Sequence, residues 1–207
     1  MVRAVLREIE QPGTGKTQTR RVLSNSKPNS LFNGQWADSY VLDPGNASWR
    51  EQELRYAVGD RLYVREHWRT HSVLDGDSPS ELQGVRVWYE ADPGYKPQSR
   101  FRQAMHMPRW ASRITLIVTD VRVQRLQEIS EEDAIAEGLE GDHINAWRCY
   151  LPEPKGQTHW ACPRQSFRTL WDSLNAERGF GWNVNAWVAA YTFRPIAGNI
   201  DQIAEAA

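Results

Sequence analysis

The clearest pattern along the chain is the alternation over residues 112–126 (SRITLIVTDVRVQRL). Ile114, Leu116 and Val118 alternate with Thr115, Ile117 and Thr119; Val121 and Val123 then alternate with Arg122 and Gln124. Period two predicts a strand, and the change of phase at Thr119-Asp120 predicts a bulge or bend inside it. RLYVREHW at 61–68, which follows the Gly59-Asp60 turn signal, predicts a second strand with Leu62, Val64 and Glu66 on one face. VRVWYEA at 85–91, closed by Asp92-Pro93-Gly94, predicts a third. AWVAAYTFR at 186–194 predicts a closing strand with Trp187, Ala189, Tyr191 and Phe193 on one face. Residues 1–10 predict a short opening strand that runs into a turn at Pro12-Gly13.

Two segments have helical signals instead. Ser130 followed by Asp133 resembles a capping box, with Ile129 and Ala134 placed as its hydrophobic staple. Glu131, Glu132 and Asp133 suit the positive end of a helix dipole, and Gly138 or Gly141 would end the helix. Phe167, Leu170, Trp171 and Leu174 recur at i, i+3, i+4 and i+7, which predicts a second helix. The Ser-, Asn-, Gly- and Pro-rich stretch 24–57 and the Pro- and Gly-bearing stretch 140–165 read as loop insertions, and 198–207 as a loose tail. No βαβ alternation appears. The pattern predicts one α+β domain, mainly β, spanning 1–207: a small antiparallel barrel with short helices at its ends.

Composition narrows the picture. The 207 residues carry 25 Lys+Arg against 26 Asp+Glu, so any binding of polyanions has to come from a local patch. No run of eighteen apolar residues is present, which excludes a helical membrane span. The charged N-terminus is unlike a secretory leader. Cys149 and Cys162 are the only cysteines, which excludes a disulfide framework and points to a reducing, cytoplasmic setting. Ten Trp are expected to be mostly core filler, with a few available as stacking surfaces for flat ligands.

Gly15-Lys16-Thr17 suggests a phosphate loop, but G-x-x-x-x-G-K-[ST] requires Gly at position 10, and Glu10 stands there. What remains is a basic turn with Lys16, Thr17, Thr19, Arg20 and Arg21. It reads either as a solvated turn or as a site. If it were helical, Lys16 and Thr19 would project to the same side, so that an ammonium could assist a hydroxyl or hold a developing oxyanion. Arg20 and Arg21 offer planar forks for phosphate or base edges. Glu137 is either an ordinary exposed carboxylate or, leaning on the apolar side of its helix, a proton donor with a raised pKa. Cys149, His159 and Cys162, with His143 nearby, do not match a structural zinc spacing, and no metal or other cofactor is expected. Arg109, Trp110, Arg113 and Arg122 are candidates for a basic, aromatic-bearing strip, and Glu66 joins the candidate binding residues.

GTGKTQTRR resembles the G-x-K-x-x-x-x-R signature of ASCH domains, which belong to the PUA-like superfamily. VGDRLYVRE is similar to the Gly-Asp strand entry of that family. HMPRWASRITLIVTDVRVQRLQEISEEDAIAEGL resembles its central strand and short acidic helix, and RTLWDSLNAERGFGWNVNAWVAAYTFR the last helix and strand of phage-type members. The resemblance implies a small β-barrel and a role in RNA binding or nucleoside chemistry. Small bacterial members are amidohydrolases that remove the acyl group from N4-acetylcytidine with a Lys and a Thr of the signature and a Glu of the short helix. The matching positions are Lys16, Thr19 and Glu137. On that analogy Thr19 attacks the amide carbonyl or positions a water, Lys16 manages the hydroxyl proton, and Glu137 protonates the departing nitrogen. The expected partner is a modified nucleoside or RNA, with no membrane. A non-catalytic RNA- or modified-base-binding module and a metal-independent ribonuclease are the alternatives. The chain is about twice the size of the small amidohydrolases, through its two insertions.

Overall fold

The computed structural model describes residues 1–23, 29–142, 146–151, 156 and 158–203. The chain opens with helix α1 (Val2–Glu10), and strand β1 (Gln18–Val22) follows. The expected opening strand is therefore a helix. Val2, Val5, Leu6 and Ile9 stand at i, i+3, i+4 and i+7, and the side carrying Ala4 and Val5 is buried. Two short helices, α2 (Asp38–Leu42) and α3 (Ala47–Glu53), stand in the stretch expected to be loop. Strands β2 (Arg61–Tyr63), β3 (Trp68–Arg69) and β4 (Trp88–Tyr89) are shorter than the alternation predicted. Then come β5 (Ile114–Arg125), α4 (Glu131–Ala136), β6 (Trp147–Arg148), β7 (His159–Trp160), α5 (Pro163–Asn175) and β8 (Trp187–Ala197).

The main sheet is antiparallel with the order β1-β8-β5-β2. It is not closed: β1 and β2 are its two edges, so the expected barrel is an open sheet. Nor is the fold mainly β, because helical residues outnumber strand residues. The reason lies in the stretch 24–57, read as loop, which contributes α2, α3 and a 3-10 turn, and in α1, expected as a strand. Two small two-stranded sheets, β3-β4 and β6-β7, stand outside the main one. Among the described residues no helix is long and apolar enough to cross a membrane.

The register of the sheet decides which side chains share a face. β5 pairs with β8 along its length, with a shift between Val118 and Asp120, where the change of phase in the sequence predicts a bulge. One face carries Val118, Val121, Val123, Ala189, Tyr191 and Trp187, which pack with Leu31, Phe32, Val41 and Leu62. The other face carries Val188 and packs on Phe167 and Trp171 of α5 and on Ile129 and Ala134 beside α4. A third cluster joins Trp68, Leu82, Met107 and Ala111 under β3 and β4.

α4 is built as its residues predict. Ser130 accepts from the Asp133 amide at 3.1 Å, and Gly138, at φ 84°, terminates the helix. The C-terminal residues 198–203 are anchored rather than loose. Ile200 is buried, the Asn199 side chain donates to three carbonyls of residues 109–112, and Thr115 donates to the Gly198 carbonyl at 3.0 Å. Residues 204–207 lie outside the described residues.

Candidate functional site

Strand alternation sends Gln18 and Arg20 of β1 to the face on which α4 and α5 pack. Arg20 lies in register with Ala190 of β8, and Ala190 with Arg122 of β5. Lys16, in the turn just before β1, reaches the end of α4. The turn is tied there by the backbone: the Thr17 amide donates to the Ala136 carbonyl at 2.9 Å, and the Lys16 amide to the Ala4 carbonyl at 2.9 Å. Gly138 allows this approach. A Cβ at that position would stand 2.7 Å from Lys16 Cβ and 2.9 Å from Ala4 Cβ.

The result is a continuous ion network. Lys16 Nζ donates to Glu137 Oε2 and to the Glu137 carbonyl, both at 2.7 Å. Arg20 donates to Glu137 Oε1 at 3.1 Å, to Asp133 Oδ2 at 2.7 Å and to the Gln18 side chain at 2.6 Å. Gln18 donates in turn to Asp133 Oδ1 at 3.1 Å. Arg122 donates to both Asp133 oxygens and pairs with Asp120 at the surface. Lys16, Arg20 and Glu137 are each less than a tenth exposed. Three cations thus meet three carboxylates, and the buried end holds Lys16 and Glu137. Burial pushes the Lys16 pKa down; the Glu137 carboxylate pulls it back, and Arg21 and Arg20 lower it further, so that it lies below the ordinary lysine value. Arg20 Nε is buried with no hydrogen-bond partner among the described residues.

Such a pair has a defined chemical capacity. A desolvated ammonium touching a buried carboxylate exchanges a proton more readily than a surface lysine does. A carbonyl oxygen placed at Lys16 Nζ would be stabilised as it becomes negative.

The remaining candidates fall elsewhere. Thr19 belongs to a strand, not a helical turn, so spacing by three turns it away from Lys16. It is half-buried on the opposite face, in register with Tyr191, and its hydroxyl accepts from Arg21 at 3.0 Å. Thr17 is half-buried and takes part through its backbone. Arg20 is no surface fork, because it is buried in the network, whereas Arg21 is exposed.

The basic strip does not form. Arg109 pairs with Asp201, Arg113 with both Glu66 and Asp92, and Arg122 with Asp120 and Asp133. Glu66 is fully buried under Arg113, which also lies 3.8 Å over the Tyr89 ring, and Trp110 packs edge-on against Trp68. These contacts hold the β3-β4 lobe to the sheet. Cys149 and Cys162 engage separate acceptors, the Leu151 carbonyl and Glu131; His143 lies outside the described residues.

The glycine-bearing turn is not a phosphate cradle either. Glu8 of α1 accepts from the amides of Gly13 and Gly15 at 2.8–3.1 Å, so the protein's own carboxylate fills the place an anion would take. A Cβ on Gly15 would meet the Glu8 amide and the Ala4 carbonyl at 2.3 Å.

Sequence reasoning missed Gln18, Glu8 and the ionic role of Asp133. A signal for the first was present: once 18–22 is read as a strand, Gln18 and Arg20 share a face and need a polar partner.

No protein-family model, curated protein or solved structure matches the chain. The likeness to ASCH domains accordingly stands on the motif residues.

Proposed function

We propose that this protein is an ASCH-type amidohydrolase of PUA-like ancestry, removing the acyl group from an N4-acylated cytidine or cytosine. The observation that carries the reading is the 2.7 Å contact between Lys16 Nζ and Glu137 Oε2, two motif residues 121 positions apart, in a setting that lowers the lysine pKa. With Thr19 on the opposite face, water is the nucleophile. Glu137 takes a proton from water as its oxygen adds to the amide carbonyl, and Lys16 stabilises the oxyanion. When the C–N4 bond breaks, Glu137 returns the proton to N4, giving the free amine and the carboxylic acid. Arg20 holds the second Glu137 oxygen and so fixes the carboxylate plane.

The test is release of cytidine from N4-acetylcytidine by the native protein and by Lys16→Met, Glu137→Gln and Thr19→Val. Loss of the acid–base pair is expected to cost at least ~100-fold in rate. Thr19→Val is expected to stay within a few-fold of native. Equal rates in native, Lys16→Met and Glu137→Gln protein remove the assignment.

The near-complete enclosure of Lys16 and Glu137 supports a second reading, in which the network only fixes α4 and the protein binds RNA or a modified base without breaking a bond. Absence of hydrolysis by the native protein, with RNA binding that weakens as salt rises, selects that reading.

A further inference from the structure

A groove of about 490 Å³ opens beside the β3-β4 lobe and shares no residue with the Lys16 network. Its walls include Asp77, Ser78, Arg100, Phe101, Arg102 and His106. The backbone explains the arrangement. Arg102 and Trp68 exchange amide-to-carbonyl hydrogen bonds of 3.0 Å in both directions, which lays residues 101–103 along the free side of β3. Arg102 is buried and Phe101, its neighbour, is 45% exposed, as alternation requires. The Phe101 ring is held in place: His67 lies 5.0 Å from it, centre to centre, and the Arg69 guanidinium 5.5 Å. The His67 ring is itself fixed, because Nδ1 accepts from the Ala104 amide at 3.0 Å.

The polar groups are unusual beside the rest of the molecule. Most arginines named above are neutralised by carboxylates, yet among the described residues neither Arg100 nor Arg102 has a carboxylate within ion-pair distance. Arg100 makes its one side-chain hydrogen bond to the Asp75 carbonyl at 3.4 Å. Arg102 donates to the Leu74 carbonyl, lies 5.3 Å over the Trp68 ring, and keeps a buried Nε with no partner. Two guanidiniums therefore line the groove beside the Asp77 carboxylate, while the nearby Asp75 and Glu81 carboxylates accept from the amides of Arg100 and Ser78. The guanidinium donors left over favour an anion. A free inorganic anion would leave the ordered ring of Phe101 and the acceptor of Asp77 unused.

We propose that this groove binds a nucleotide. The phosphate is held by Arg100 and His106, the base lies against Phe101, and Asp77 accepts from ribose hydroxyls or a base amino group. The volume falls within the range of small-molecule sites and accommodates one nucleotide unit. The unit is either a free mononucleotide or one residue of a single strand, since both present the same phosphate and π-face. This assignment does not depend on hydrolysis at Lys16.

The test is calorimetric titration of the full chain with cytidine 5′-monophosphate, cytidine, inorganic phosphate and a short single-stranded oligonucleotide. Phe101→Ala and Arg100→Gln alter exposed side chains and are expected to fold as the native protein does. The monophosphate should bind better than either cytidine or phosphate. Phe101→Ala should weaken it roughly tenfold, the effect of losing one stacked base, and Arg100→Gln should weaken the monophosphate more than cytidine. Tighter binding of the oligonucleotide, reduced by the same variants, identifies a strand as the source; equal affinities identify the free nucleotide. Phosphate binding as tightly as the monophosphate, affinities unchanged in both variants, or no binding of either nucleotide form would overturn the proposal.

Discussion

Lys16→Met is the sharpest test of how the network is held together. The substitution keeps the length of the buried stem and deletes the ammonium, and with it two hydrogen bonds of 2.7 Å. It leaves the Glu137 carboxylate buried with Arg20, at 3.1 Å, as its remaining cation. Removing one partner of a buried ion pair costs about 3–5 kcal/mol, because the other charge is left uncompensated. The surviving Arg20 contact places Lys16→Met near the lower end, about 3 kcal/mol. Glu137→Leu has to cost at least as much, since it strands both Lys16 and one side of the Arg20 guanidinium. The double variant removes both stranded charges at once, so its cost should fall short of the sum of the singles by about 2 kcal/mol or more. Urea unfolding read by tryptophan fluorescence measures all four species. In thermal melts the single variant should lose about 6–12 °C for a chain of this size. Additivity within about 0.5 kcal/mol would refute the reasoning: the two side chains would then not be coupled through a desolvated contact, and the buried pair could be neither the acid–base centre nor the lock on α4.

Gly138→Ala should destabilise the protein by about 2–4 kcal/mol in the same assay, because it forces a Cβ into the left-handed region and into contact with Lys16 Cβ and Ala4 Cβ; a loss below about 0.5 kcal/mol would show that α4 and the basic turn are not packed as described. Asp133 supplies a pH dependence. Burial alone would raise its pKa, but hydrogen bonds from Arg122 and Gln18 and the charges of Arg20 and Arg122 lower it overall. A lowered folded-state pKa contributes stability that is complete above the ordinary aspartate value and is lost as pH falls through the folded value. Melts from neutral pH to about pH 2 should therefore show Asp133→Asn destabilised at neutral pH and converging on the native protein in acid; parallel curves would contradict the sign.

The parts of this fold legible in the sequence are those whose period is local. β5, its bulge, the Ser130 cap and the Gly138 stop each depend on residues within a turn or two of one another, and each stands where its pattern placed it; the α5 face does so at Phe167, Leu170 and Trp171, whereas Leu174 is exposed and Asn175 is buried. α1 was legible too: Val2, Val5, Leu6 and Ile9 fit the helical spacing rather than the alternation of the expected strand, and the helix has Lys16 and Gly138 to pack on. What could not be read is pairing at a distance. Arg109, Arg113 and Arg122 have the composition of a nucleic-acid strip, yet Arg109 and Arg113 are matched by carboxylates that the chain brings from far away, Asp201 and Glu66, and Arg122 by Asp120 of its own strand and Asp133 of the next helix. The closed barrel failed for a related reason: closure depends on which strands pair at the edges, and nothing within β1 or β2 states that they stay apart.

The bulge at Thr119 links the local pattern to the long-range one. Before it, Ile114, Leu116 and Val118 share a face, with Leu116 in register with Leu62 and Val118 with Phe193. A strand without an extra residue would keep even-numbered positions on that face and would bury Asp120 and Arg122 in the apolar cluster of Leu31 and Tyr191. Because the register shifts between Val118 and Asp120, the parity reverses: Val121 and Val123 join the apolar cluster, and Arg122 crosses to the side of Arg20. One inserted residue thus satisfies two demands on a single strand, a continuous hydrophobic row and a cation delivered to Asp133. Asp133 in turn holds Arg20, and Arg20 holds Glu137 against Lys16. The Arg122 arm of the ionic network at the end of α4 is therefore a consequence of the phase change in the middle of β5. The same alternation in β1 that admits Arg20 to this network excludes Thr19 from it.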